Sequence, residues 1–436
     1  MKKLETLLKI YEDHVAERAT KGIPPLPLNA EQTNCVTQLL EQETNCDSEY
    51  LMDLLINRVP PGVDEAAYVK ASWLTAIVNG EKNCKLIKPQ QAIQILGTMI
   101  GGYNVNSLIE ILQSKNNSLA REAAQVLKKI ILVYDAANDI FDLSQNNIYA
   151  KEVVDSWANA EWFTTKNSLP KEIKCLAFKI DGETNTDDLS PAVHATSRPD
   201  IPLHSLSMLE FKDKNGLKIL NDLKKQNIQI AYVGDVVGTG SSRKSAINSV
   251  IWHLGEDIPY VPNKKTGGII IGNKIAPIFF NTAQDSGALP IETDVSDINT
   301  GDLLKILPYE GVIKKIDKNT NTELIISKFK LNPSTLTDEI QAGGRINLMI
   351  GRSLTDKIRK KLELHPSEIF LRPQSPRKTN SGFTQAQKIV GKACGLKGVL
   401  PGMTCEPIMT TVGSQDTTGP MTRDELKELA CLGFTA

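Results

Sequence analysis

The chain has 436 residues, more than one ordinary hydrophobic core organises, so two or three domains are expected. Apolar residues make up 41% and charged residues 23%, the composition of a soluble globular protein, and no apolar run reaches membrane-spanning length. The 50 Lys and Arg stand against 51 Asp and Glu, which gives no global electrostatic case for nucleic acid or a membrane surface.

The N-terminus, MKKLETLLKIYEDHV, breaks every apolar stretch with Glu, Lys or Asp, so it is no signal peptide and a cytoplasmic protein is expected. Leu4, Leu7, Leu8, Tyr11 and Val15 recur with helical spacing until Gly22 and the prolines of GIPPLPLN end the run. Leu119, Ala123, Val126, Leu127, Ile130, Ile131 and Tyr134 repeat that spacing more strongly. Between them, DEAAYVKASWLTAIVNGE, KPQQAIQILGTMIGG and NVNSLIEILQS are separated by short Asn-, Gly- and Pro-rich turns. The pattern predicts paired antiparallel helices, stacked as a small solenoid or gathered in an irregular bundle.

Near residue 170 the texture changes. IKCLAFKI, IQIAYVGD, GGIIIGN and GDLLKILPYEGVIKKI are short β-branched runs bounded by Gly, Asn and Pro, and read as strands. SAINSVIWHLG and SLTDKIRKKLEL read as helices among them, which predicts an α/β domain to about residue 371. RPQSPRKTNSG then reads as a linker. The seven cysteines, Cys35, Cys46, Cys84, Cys175, Cys394, Cys405 and Cys431, are odd in number, scattered and without a CxxC pair. Free thiols are expected, and no metal site follows from their spacing.

Two stretches carry chemistry. In GTGSSRKSA, Gly238 and Gly240 permit positive φ and close backbone approach, and a helix supported by Ala246, Ile247, Val250, Ile251 and Leu254 follows. The positive end of that helix and the planar fork of Arg243 make an anion receptor. Arg243 stands where both the P-loop and the dinucleotide fingerprint need glycine, so a carboxylate fits better than a phosphate. The alternative is a simple helix cap from Ser241 or Ser242. ETNTDDLSPA, residues 183–192, reads first as an Asx-rich turn capping the next element. Arg198 downstream is a second candidate carboxylate partner.

These residues resemble the aconitases. NTDDLSPA followed by GTGSSRKSA is similar to the paired signatures of the aconitase swivel domain, whose commoner forms read TTDHIS and GSSRE. GGIIIGNKIAPIFFNTAQDSGALPIE and VGSQDTTGPMTRDELKELACLGF narrow the resemblance to the aconitase B branch, over essentially the whole chain. It implies a multidomain fold: an all-α HEAT-like domain over 1–160, an α/β swivel domain over 161–371, a linker over 372–382, and the truncated start of the cluster-bearing α/β domain over 383–436. The isopropylmalate isomerase small subunit, a lone swivel domain, is disfavoured by the long helical N-terminus.

The resemblance implies a hydro-lyase of the tricarboxylic acid cycle, converting citrate to isocitrate through cis-aconitate with a 4Fe–4S cluster, and in some members acting on 2-methylisocitrate. Ser241 matches the general base and Asp187 an orienting group of the active site. Ser242 and Arg243 match substrate-carboxylate contacts, as does Arg198 by its spacing from Ser190. Gln415, Asp416 and Thr417 match the start of the cluster domain, where the Gln contacts substrate. Asp188 stands where the commoner form has His, so no role transfers to it. The three cysteines that hold the cluster lie beyond the position matching Ala436, so this chain is expected to contain no metal ligands and to be inactive alone. Homodimerisation through the helical domain and mRNA binding by the cluster-free form are further implied, with no membrane partner. The basic stretch KIRKK, residues 357–361, is expected to be a solvated helix face, because no aromatic platform accompanies it.

Overall fold

The structure, a computed structural model, describes residues 2–42, 47–372, 376, 381–403, 405 and 407–411. Helices Lys2–Thr20, Ala30–Glu41, Ser48–Asn57, Glu65–Val78, Pro89–Leu96, Tyr103–Leu112, Asn117–Leu127, Ala136–Leu143 and Ile148–Ala158 follow one another without a strand. Many of their starts are set locally, because the side chains of Asn29, Asp47, Asp64, Asn116 and Asn147 accept first-turn backbone N–H bonds. Alternate helices stack in succession: Ala30–Glu41 on Glu65–Val78, that on Pro89–Leu96, then Asn117–Leu127, then Ile148–Ala158. Leu39, Leu55, Leu74, Ile93, Leu96 and Trp157 fill one continuous core between them. Each short helix buries its apolar stripe only against its neighbours, so none is expected to hold by itself.

The second body is a mixed sheet in the order β6-β5-β2-β1-β7-β8-β9. Its strands are β1 (Ile173–Asn185), β2 (Ile230–Thr239), β5 (Ile269–Ile275), β6 (Leu289–Glu292), β7 (Leu303–Leu307), β8 (Val312–Ile316) and β9 (Glu323–Lys328), while β3 (Glu256–Asp257) and β4 (Lys265–Thr266) form a small separate ladder. β1, β2, β5 and β6 run parallel, and β7 to β9 add antiparallel strands beside β1. The period-2 alternation sorts side chains to two faces. Leu176, Phe178, Ile230 and Tyr232 face the layer formed by helices Gly216–Lys224, Arg243–Leu254 and Pro277–Asp285, and Cys175, Ala177, Ala231 and Val233 belong to the opposite core.

A last long helix, Arg345–Lys361, returns to the helical body. Leu354 and Ile358 are buried in the core of the first nine helices, and Thr355 accepts a bond from Trp162 Nε1 (3.0 Å) while donating to Trp157 O (2.9 Å). Phe370 stacks on Trp162 and meets Phe163 at a tilt beside it. KIRKK is largely the solvated helix face expected, with Lys357, Lys360 and Lys361 exposed, Arg359 half-buried and Ile358 turned into the core. Arg359 donates to the carbonyls of Ala158 (3.0 Å) and His365 (2.6 Å), and the Lys361 ammonium lies 4.7 Å from the centre of the Phe141 ring. Among the described residues no helix is long and apolar enough to cross a membrane.

Candidate functional site

Strands β1 and β2 are parallel neighbours, and the two chemistry-bearing stretches stand at their carboxyl ends, with Asn185 in register with Thr239. Open parallel sheets bind ligands at this edge, because the loops that follow the strands diverge there and leave a crevice. β1 runs further than its apolar pattern predicts. It continues through Glu183, Thr184 and Asn185 with two irregularities in its register against β2. The polar residues of ETN are therefore strand, and the Thr239 hydroxyl donates to Glu183 Oε1 at 2.5 Å across the pair.

At the end of β2 Gly238 has φ +80°, and in the turn that follows Gly240 has φ +108°, both in the region that favours glycine. A Cβ on Gly238 would lie 2.1 Å from Phe279 Cγ, and one on Gly240 2.4 Å from Thr186 Oγ1. The first glycine lets an apolar helix pack against the turn, and the second lets the other stretch approach it. Thr186 completes the junction by accepting the backbone N–H of Ser242 on its hydroxyl at 3.3 Å. Ser242 stands at the N-cap of the Arg243–Leu254 helix without a side-chain capping bond to it. Ser241 is exposed, and Ser242 and Arg243 are half-buried. Arg243 Nη1 donates to Gly240 O at 3.0 Å, closing the turn on itself.

The first stretch is a capping box, as its Asx-rich composition predicts. The Asn185 side chain accepts from the N–H groups of Asp187 and Asp188, both at 2.8 Å, and Asp188 Oδ2 accepts from Asn185 N at 2.9 Å. The Asp188 carboxylate is thus a local brace, and the Asp187 side chain is exposed. The short helix Thr186–Leu189 packs on Arg243–Leu254, as does the next short helix, Ile201–Ser205. Arg198 lies half-buried in the loop between these two short helices.

Three residues of this junction escape the sequence reading. Thr186 looks like one more polar residue of a turn, and Phe279 like ordinary core. His204 is buried, with Nε2 2.9 Å from Ser190 Oγ and Nδ1 3.1 Å from Arg198 O. Burial moves its pKa below the ordinary histidine value, which favours the neutral ring. The close spacing of Ser190, Arg198 and His204 is the only sequence signal that links them.

Against known proteins, the family model "Aconitate hydratase 2 N-terminus" matches residues 175–383, and "Aconitate B N-terminal domain" matches residues 10–163. Aconitate hydratase B of Synechocystis sp. is 61% identical over 430 residues, covering 99% of this chain and 49% of that protein. The chain belongs to the aconitate hydratase B family. Family members named aconitate hydratase B from Helicobacter pylori and Escherichia coli are 53% and 52% identical, over 99% of this chain and 50% of each. The chain spans about half the length of the curated aconitate hydratase B relatives it matches.

Gln415, Asp416 and Thr417, the remaining residues that the resemblance singles out, lie outside the described residues, as do Cys46 and Cys431. The donor groups among the described residues do not fit an iron–sulfur cluster. Cys35, Cys84 and Cys175 are buried in different places, and burial pushes the Cys175 thiol up to about 12, the reverse of what a thiolate ligand needs. Cys394 and Cys405 are half-buried. Among the described residues no three His, Cys, Asp or Glu side chains come together as a metal site.

Proposed function

We propose that this chain supplies the substrate-carboxylate side of an aconitate hydratase, an enzyme isomerising citrate to isocitrate through cis-aconitate, with 2-methylisocitrate as a further substrate. The observation that carries the reading is the junction of the two signature stretches at the carboxyl ends of β1 and β2, where Thr186 meets Gly240 and Ser242. In this reading Ser241 removes the proton beside a substrate carboxylate. A serine is a weak base, so its alkoxide depends on the positive end of the Arg243–Leu254 helix. Arg243, Ser242 and Arg198 hold carboxylates, and Asp187 orients the site. Gln415, Asp416 and Thr417 add contacts from the next domain. The cluster that the family implies would, when bound, offer a Lewis acid for the leaving hydroxyl. The described cysteines do not fit it, and no step through it is assigned to them.

The domain reading goes with this: a HEAT-like domain over 1–160, a swivel domain over 161–371, a linker over 372–382 and the start of the cluster domain over 383–436. The matched family models and the two cores of the fold support it. A homodimer through the helical domain and mRNA binding are carried by the resemblance alone.

Titration calorimetry of this chain with citrate and with tricarballylate, a tricarboxylate that cannot dehydrate, tests the reading. Binding is expected to fall about tenfold or more in Arg243→Met, with Arg243→Lys between, because one ammonium does not replace a planar fork. Ser241→Ala is expected to keep most of the affinity. A wild-type chain that ignores both ligands, or an Arg243→Met variant that binds them equally, would overturn the carboxylate assignment.

A further inference from the structure

We propose that Arg18, in the helical body, is a positioning residue for the carboxylate site, acting through Asp200 on the loop that carries Arg198. Arg18 lies in the last turn of the Lys2–Thr20 helix and is 4% exposed. Its guanidinium makes a bidentate pair with Asp200, Nη2 to Oδ1 at 2.5 Å and Nη1 to Oδ2 at 3.0 Å, and its Nε donates to Pro24 O at 2.8 Å. All three nitrogens are used. A planar fork held this way fixes the direction of its partner as well as its distance.

Asp200 passes that constraint on. Its Oδ1 also accepts the N–H of Leu203 at 3.2 Å, and its carbonyl accepts the N–H of His204 at 2.9 Å, so it starts the Ile201–Ser205 helix. His204, at the far end of this brace, reaches back to the site. Its Nδ1 faces the carbonyl of Arg198, so Nδ1 carries the proton and the Ser190 hydroxyl donates to Nε2. The Arg198 N–H in turn donates to His194 O at 2.9 Å. The backbone on both sides of Arg198 is therefore tied to the end of the first signature stretch and, through Asp200, to a helix far away in sequence. A second tie holds the same faces together. Arg58 Nη2 donates to Asn263 Oδ1 at 3.0 Å, and Asn263 Nδ2 donates to Pro25 O at 2.9 Å. The helical body thus belongs to the scaffold of the site.

The inference rests on the reading of Arg198 as a carboxylate contact, and the test separates the two. Hydrogen exchange by mass spectrometry is followed over residues 198–209 in the wild-type chain, in Arg18→Met and in the charge-swapped pair Arg18→Asp with Asp200→Arg. Citrate affinity is measured in the same proteins and in Arg198→Ala. In Arg18→Met, exchange of this loop is expected to speed up about tenfold while the sheet strands stay protected, and citrate is expected to weaken by a similar factor. The swapped pair is expected to recover part of both, short of the Leu203 bond that Asp200→Arg gives up, and a generally loosened fold would recover neither. If Arg18→Met fails to fold, Asp200→Asn keeps the shape, removes the charge and gives the same two readouts. Unchanged exchange in the loop overturns the proposal. So does citrate binding that falls in Arg198→Ala but not in Arg18→Met, with the site reading left standing. Affinity unmoved by Arg198→Ala sinks the reading of Arg198, and the exchange data then decide separately whether Arg18 anchors the loop.

Discussion

At Gly240 the backbone takes φ +108°, and the missing Cβ is replaced by the Thr186 hydroxyl oxygen. Ala at this position meets two costs, an unfavourable dihedral of about 1–3 kcal/mol and displacement of Thr186 from Ser242 N. Gly240→Ala is expected to lower the urea midpoint and to weaken citrate about tenfold or more. A variant with wild-type midpoint and affinity would show that the two stretches need not touch. Lys70 is the other residue whose environment decides its behaviour. It is buried among the helices, with Nζ 3.3 Å from Ile56 O and 3.4 Å from Thr98 Oγ1, and desolvation lowers its pKa to about 7. Between that value and the unfolded value near 10.5, the unfolded chain holds the proton and the folded one does not. The burial penalty is therefore fully present below about pH 7 and fades as pH rises toward 10.5. Lys70→Met is expected to stabilise the chain most below pH 7, with the gain shrinking above it. Thermal melts of both proteins from pH 6 to 10 measure the difference, and a gain that grows with pH would contradict the assignment.

The elements of the second body were legible where burial imposes a pattern and hidden where the site interrupts it. IKCLAFKI reads as a nearly continuous apolar run because its side chains enter two cores, whereas Glu183, Thr184 and Asn185 continue the same strand without an apolar signal. Strand ends that carry a site give up that signal, so the overrun of β1 had no hydrophobic mark. The helix expected from Ser353 starts at Arg345, and Gly351 obscured its first turns. That glycine is explained only in three dimensions, since a Cβ there would stand 2.3 Å from the Trp162 ring. The capping box at Asn185 was readable because its partners are local in sequence. The meeting of Thr186 with Gly240, and of Arg18 with Asp200, was not, because a single sequence shows which residues are able to pair and leaves open which ones do.

At the scale of the whole molecule, the helical body and the sheet body share buried surface, and this makes their stabilities inseparable. Ile358 and Leu354 come from the end of the α/β stretch yet sit in the core of the first nine helices, and Trp162 and Thr355 bond across the same joint. Inter-domain contacts made only of polar surface usually allow independent motion, whereas a shared apolar core resists it. Ile358 is fully buried, so truncation to Ala removes transfer energy and leaves a cavity, a loss of about 2–5 kcal/mol. If the joint couples the bodies, this loss appears in both. Far-UV circular dichroism reports chiefly the helices, and near-UV signals from Trp157, Trp162 and Trp73 report tertiary packing in the helical body and at its joint. Hydrogen exchange in β1 and β2 reports the sheet. In Ile358→Ala all three are expected to move together toward lower denaturant, and the loop at Arg198 is expected to lose protection in step with them. Separate transitions, with the sheet strands at their wild-type midpoint, would mean that the helix docks as a passive strap. In that case the Arg18–Asp200 pair and the Arg58–Asn263 bond would be left to transmit order from the helical body to the site.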